Sequence, residues 1–155
     1  MSRRSALSIS LIAMLAMAIS AAECWNLEKS PEFERAPNSN NPLCGKIQKS
    51  YPDKILGEER ALASVQGVAV WGDSKVVLRC GMEPPRPTID PCMTVNGIDW
   101  VLIERKSNQD QKTLITYGRS PAVEVVISDD SPAAGDGLVD LSTSMKLIPQ
   151  KSKCL

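Results

Sequence analysis

The sequence predicts an α+β fold: a small antiparallel sheet of about five or six strands, with a C-terminal helix and a short N-terminal helix packed on it. Two features point to the sheet. Between residues 64 and 127, short runs rich in Val, Ile, Leu and Thr recur, and they are separated by Gly-Asp-Ser, Asn-Gly and Gly-Arg-Ser-Pro turn signals. A third feature points to the helix: beyond these runs the apolar period lengthens, with Leu138, Leu141, Met145 and Ile148 on one helical stripe. A chain of 155 residues has room for one such domain and a modest core.

In chain order, Met1 to Ala22 has a basic start (Arg3, Arg4), an apolar stretch from Ala6 to Ile19 and a small-residue end at Ser20-Ala21-Ala22. That is the layout of a secretory signal, with cleavage expected after Ala22. The apolar stretch is short for a bilayer span and carries serines, so a retained membrane anchor is the alternative. Lipidation of Cys24 is a third reading, weakened because Glu23 stands where the peptidase needs a small residue. Residues 23–41, with Asn38 to Asn41 and prolines at 31 and 37, read as a flexible tether. The single domain is expected over 42–155.

Pro42 to Ser50 places Leu43, Cys44 and Ile47 on one face of a short helix, with Pro42 in its first turn and Pro52 beyond its end. Ser64 to Trp71 and Lys75 to Cys80 form a hairpin about Gly72-Asp73-Ser74, and Val76 to Leu78 reads as a strand buried on both faces. Gly81 to Pro91 holds four prolines and stays extended. Cys92 to Val95 and Ile98 to Glu104 flank Asn96-Gly97, a pair suited to the positive φ of a type I′ turn. Lys112 to Tyr117 and Ala122 to Ile127 add two strands, and Lys106 to Gln111 is a solvated loop. The helix runs from Ala133 to about Leu147, with Ser131 as its cap, Pro132 at its first position and Pro149 as its stop. Gly135 and Gly137 weaken its first turns by roughly 1 kcal/mol each.

Export places Cys24, Cys44, Cys80, Cys92 and Cys154 in an oxidising compartment, where thiols pair. With Cys24 set apart at the processed end, four cysteines remain, with three connectivities. The expected pairing is Cys80 with Cys92, because a hairpin-like excursion brings its own ends together, and Cys44 with Cys154 by elimination. Zinc is disfavoured, since no close CxxC pair and no histidine is present.

The absence of histidine removes the commonest general base and every Ser-His or Cys-His nucleophile. The 18 basic residues balance 18 acidic ones, and loss of Arg3 and Arg4 leaves 16 against 18, a surface unsuited to nucleic acid. Asp129, Asp130, Asp136 and Asp140 do not match a calcium loop and are read as partners of the helix dipole. Asp99 and Glu104, five apart on a strand, face opposite sides and do not form a local carboxylate pair. Trp71 and Trp100 are read as core rather than as a sugar platform. Arg79 and Arg119 are expected to pair with Glu83, Glu104 or Glu124. The Pro84 to Pro87 PxxP pattern is read as loop rather than as a recognition ligand.

AVWGDSKVVLRCG (69–81), CMTVNGIDW (92–100), TYGRSPAVEVVI (116–127), LVDLS (138–142) and IPQKSKCL (148–155) together resemble an actinobacterial family, domain of unknown function 3515. The resemblance implies an exported or membrane-attached envelope protein, and it carries no catalytic residues. The expected function is therefore a non-catalytic binding or structural module of the cell envelope, without catalytic, cofactor or metal residues. Its partner is an envelope component or protein, not nucleic acid, and membrane attachment would run through the N-terminus. The alternative is a histidine-free, carboxylate-dependent hydrolase acting on envelope glycan.

Overall fold

The computed structural model describes residues 34–61, 65–128 and 134–154, all within one compact unit. The signal, Cys24, the Ser131 cap, Asp129 and Asp130 lie outside the described residues. Two helices, α1 (Pro42–Gln48) and α2 (Ala134–Met145), join a two-stranded ribbon and a six-stranded sheet. The ribbon is β1 (Lys54–Ile55) and β2 (Glu58–Glu59). The sheet comprises β3 (Val68–Trp71), β4 (Val76–Met82), β5 (Cys92–Val95), β6 (Ile98–Leu102), β7 (Gln111–Thr116) and β8 (Ala122–Ser128). Its order is β3-β4-β8-β7-β6-β5, antiparallel throughout. The α+β class, the strand number and both helices stand as the sequence predicts.

Local chemistry explains the boundaries. Asn41 caps α1 by accepting a hydrogen bond from Leu43 N at 2.9 Å, and Pro42 occupies the first turn, where its missing N–H costs nothing. Asn96 (φ 48°) and Gly97 (φ 80°) form the left-handed pair that joins β5 to β6. In α2, Gly137 sets its Cα against Ile55 and Leu56, whose atoms lie 3.3 Å from where a Cβ would stand. That glycine trades helix propensity for close packing of α2 on the β1–β2 ribbon.

One face of the sheet carries the main core. Trp71, Leu78, Cys80, Ile98, Trp100, Val123, Val125 and Ile127 meet Cys44 and Ile47 of α1 and the Leu138, Leu141, Met145 and Ile148 stripe of α2. Both tryptophans are fully buried, as a core role requires. Trp71 Nε1 donates to Pro52 O at 3.0 Å, and Tyr51 packs edge-on against its ring, with centroids 5.9 Å apart. Burial pushes the Tyr51 phenol well above its ordinary pKa, and the Arg60 charge offsets this only in part.

Two expectations need correction. Residues 34–41 are not tether throughout: Asn38 N donates to Gly81 O, Ala36 and Ser39 are buried, and a Cβ on Gly81 would collide with this turn. The folded chain thus starts before Pro42. The disulfides also differ, joining Cys44 to Cys80 and Cys92 to Cys154, with Cα separations of 5.6 and 5.9 Å. The physical reason is topological. Strands β8, β7 and β6 separate β4 from β5, so Cys80 and Cys92 stand about 19 Å apart at four inter-strand spacings. They also face opposite sides: Cys80 lies in the main core, and Cys92 pairs in register with Val101 on the other face. The proline-rich segment is a crossing connection rather than a hairpin excursion.

Candidate functional site

The sheet face away from the helices is where polar chemistry collects. Strand alternation sends Asp99, Val101, Ile115, Glu124 and Cys92 to this side. The sequence signal is visible in IDW and AVEVV, where a carboxylate interrupts an apolar strand.

Glu124 is buried at 2% exposure, and both its oxygens are engaged. Oε1 accepts from Arg79, and Oε2 accepts from Lys106 at 2.6 Å. Burial would raise its pKa, but the hydrogen bonds and charges of Lys106 and Arg79 outweigh burial and hold it below the usual carboxylate range. Of the partners expected for Arg79, the structure selects Glu124. Lys106 joins through a 3-10 turn, Glu104–Lys106, which places Glu104 beyond the end of β6 and exposed, whereas Asp99 is buried within that strand.

Asp99 organises the C-terminal tail. Thr94 Oγ1 donates to it at 2.6 Å, Gln150 Nε2 at 2.8 Å and Cys154 N at 2.9 Å. Burial works to raise its pKa, yet these donors and the nearby Lys153 charge leave it lowered. Arg119, expected to pair with Glu83, Glu104 or Glu124, instead holds the tail: its guanidinium donates to Ile148 O and, at 3.4 Å, to Gln150 Oε1. Its exposure is 5%, and burial lowers its pKa while the Asp99 charge opposes that shift. Gln150 thus bridges a buried carboxylate and a buried guanidinium. Gly118 completes the clamp, because Lys151 N donates to its carbonyl and any Cβ there would collide with Ser152. No local sequence signal names these partners of Asp99 and Arg119.

Beside the tail lies a cavity of about 370 Å³. Its walls are residues 87–91 of the proline-rich loop, the Cys92–Cys154 disulfide, Val101 and Tyr117. Asp90 contributes the one carboxylate of the lining, and its backbone N–H is held by Thr88 Oγ1 at 3.0 Å. Tyr117 contributes a phenol. Prolines keep the loop extended and leave few backbone donors to satisfy, so an apolar wall can stand at the surface. Asp136 and Asp140 of the acidic cluster are exposed, and Asp140 accepts from Leu56 N at 3.3 Å rather than facing a ligand. Among the described residues no group of three or more His, Cys, Asp or Glu is placed to hold a metal ion. Also among them, no helix is long and apolar enough to cross a membrane.

No curated protein and no solved structure matches this chain. The described blocks of strands, helix and cysteines coincide with the segments that resemble a known family. Over residues 5–152 the chain matches the family described as "protein of unknown function" (DUF3515), and it belongs to that family.

Proposed function

We propose that this is an exported cell-envelope protein that binds an envelope component non-catalytically in the cavity between the proline-rich loop and the C-terminal tail. The observation that carries the reading is the construction of that cavity: the proline-rich loop and the C-terminal tail, distant in sequence, are covalently joined at Cys92–Cys154 to make its wall. The signal-like N-terminus and the two disulfides support the compartment. Apolar walls with a carboxylate and a phenol suit a ligand that joins an apolar body to a cationic amine.

A two-carboxylate hydrolase is less well supported. Asp90 is the single acid in the lining, and the Asp99 and Glu124 oxygens are taken up by structural partners.

Two measurements test the proposal. N-terminal sequencing of protein recovered from outside the cytoplasm should begin at Glu23, and a chain found only in the cytoplasm would end the envelope reading. Titration of isotope-labelled protein with soluble, amine-bearing peptidoglycan peptides should shift the Val101 and Tyr117 resonances, and Asp90→Asn should weaken the effect. Unchanged cavity resonances with a panel of such fragments would remove this ligand class.

A further inference from the structure

The two disulfides stand in opposite settings. Cys44 and Cys80 are 1% and 0% exposed and lie within the main core, out of reach of a dissolved thiol. Cys92 is exposed on the outermost strand, Cys154 is half-buried, and both line the cavity. Thiol–disulfide exchange needs an approach to one sulfur of the bond, so the outer disulfide is the one open to it.

The segments that this bond joins are also held without it. Strand β5 pairs with β6 from Cys92 with Val101 to Val95 with Ile98, and Leu102 N donates to Pro91 O just ahead of the strand. The tail is fixed as far as Ser152. Arg119 donates to Ile148 O, Gln150 Nε2 to Asp99 and Lys151 N to Gly118 O, and the Ser152 backbone lies where a Cβ on Gly118 would stand. Beyond Ser152, the described contacts apart from the disulfide are the hydrogen bond from Cys154 N to Asp99 and the Lys153 charge beside that carboxylate. Breaking the outer disulfide therefore leaves the sheet, the core and the tail to Ser152 in place, and frees the short stretch that closes the cavity.

We propose that the Cys92–Cys154 disulfide is a redox gate on the cavity: reduction by a dithiol releases the end of the tail and opens the wall, and reoxidation closes it. The gate rests on the reading of the cavity as a binding site. In the forward step, one thiolate of the dithiol attacks Cys92 Sγ, and the Cys154 sulfur leaves as a thiolate and takes up a proton. The second thiol of the donor then attacks the mixed disulfide. Cys92 is released as a thiol, the donor ends as a disulfide, and two electrons have passed to the protein. Cys44–Cys80 stays oxidised throughout and keeps α1 tied to β4.

Equilibration of the exported chain in graded mixtures of reduced and oxidised dithiothreitol, followed by amide hydrogen exchange, tests the gate. A window should exist in which Cys92–Cys154 is reduced and Cys44–Cys80 is intact. In that form the Cys154 amide should lose protection by about tenfold or more, while the Leu102 and Lys151 amides keep theirs. Soluble, amine-bearing peptidoglycan peptides should bind it about tenfold or more weakly than the oxidised form. The double variant Cys92→Ser, Cys154→Ser should reproduce both changes without reductant. Simultaneous loss of the two disulfides, unfolding of the domain when the outer one alone is reduced, or an unchanged Cys154 amide overturns the gate. Equal peptide affinity in the two forms also overturns it, and leaves the binding reading standing. Peptides that bind neither form remove that ligand class, and the Cys154 amide then decides the gate by itself.

Discussion

The two faces of the sheet hold their neighbours by different means. On the helix face, the Cys44–Cys80 disulfide sits among Ile47, Leu78 and Met145, with both cysteines essentially inaccessible. On the opposite face, Cys92 is exposed and Cys154 half-buried, and the covering segments are loops fastened to Asp99, Arg119 and Glu124. Apolar burial is non-directional and tolerates substitution of shape for shape. Buried charges instead specify particular partners, and losing one partner strands another. The helix face thus supplies most of the stability, and the opposite face determines where the loop and tail lie.

The widest expected separation between the faces is in thiol chemistry. Under mild reductant, alkylation followed by peptide mass mapping should label Cys92 and Cys154 well before Cys44 and Cys80; equal labelling would erase the contrast. Next comes packing. Leu141→Ala, at a fully buried position of α2, should lower the unfolding free energy by about 3 to 5 kcal/mol in a urea titration. A smaller loss, about 2 to 3 kcal/mol, is expected for Glu124→Gln, which leaves Arg79 and Lys106 without their shared carboxylate while both keep contact with water.

The pH dependence comes from the loop-bearing face. Glu124 and Asp99 both have lowered folded-state pKa values, so the unfolded chain takes up their protons first as pH falls. Their contribution is complete above the ordinary carboxylate range, about pH 5, and is lost as pH drops through the lowered folded values. The melting temperature should therefore decline on acidification below about pH 5, and less steeply in Glu124→Gln. The smallest effect is expected from Tyr117→Phe at the cavity wall: a change in melting temperature within error, with ligand binding reduced. A large loss of stability there would make the phenol part of the framework.

Legibility in the sequence follows the range of the forces. The Asn96-Gly97 turn, the Gly72 turn, the Pro42 helix start and the Leu138 to Ile148 stripe depend on residues within a few positions of one another, and all appear where local rules place them. Insertion of β8 between β4 and β7 depends on which distant strand completes the core, and no local signal encodes it. The disulfide pairing followed that order, so the hairpin assumption led to Cys80 with Cys92. Buried Asp99 and Glu124 could be suspected from their apolar flanks. Their partners Gln150, Lys106 and the Cys154 amide are too remote in sequence to be named in advance.

The corrected pairing also bears on how the chain is made. Cys44–Cys80 and Cys92–Cys154 enclose loops that follow one another along the chain without overlapping, at separations of 36 and 62 residues. On the proposed export, with the N-terminus leading, Cys44 and Cys80 both emerge before either member of the Cys92–Cys154 pair. Among these four cysteines, oxidation in order of arrival produces the native connectivity only where Cys24, which stands ahead of them, is withheld from pairing, whereas the alternative of Cys44 with Cys154 would keep one thiol waiting for the whole domain.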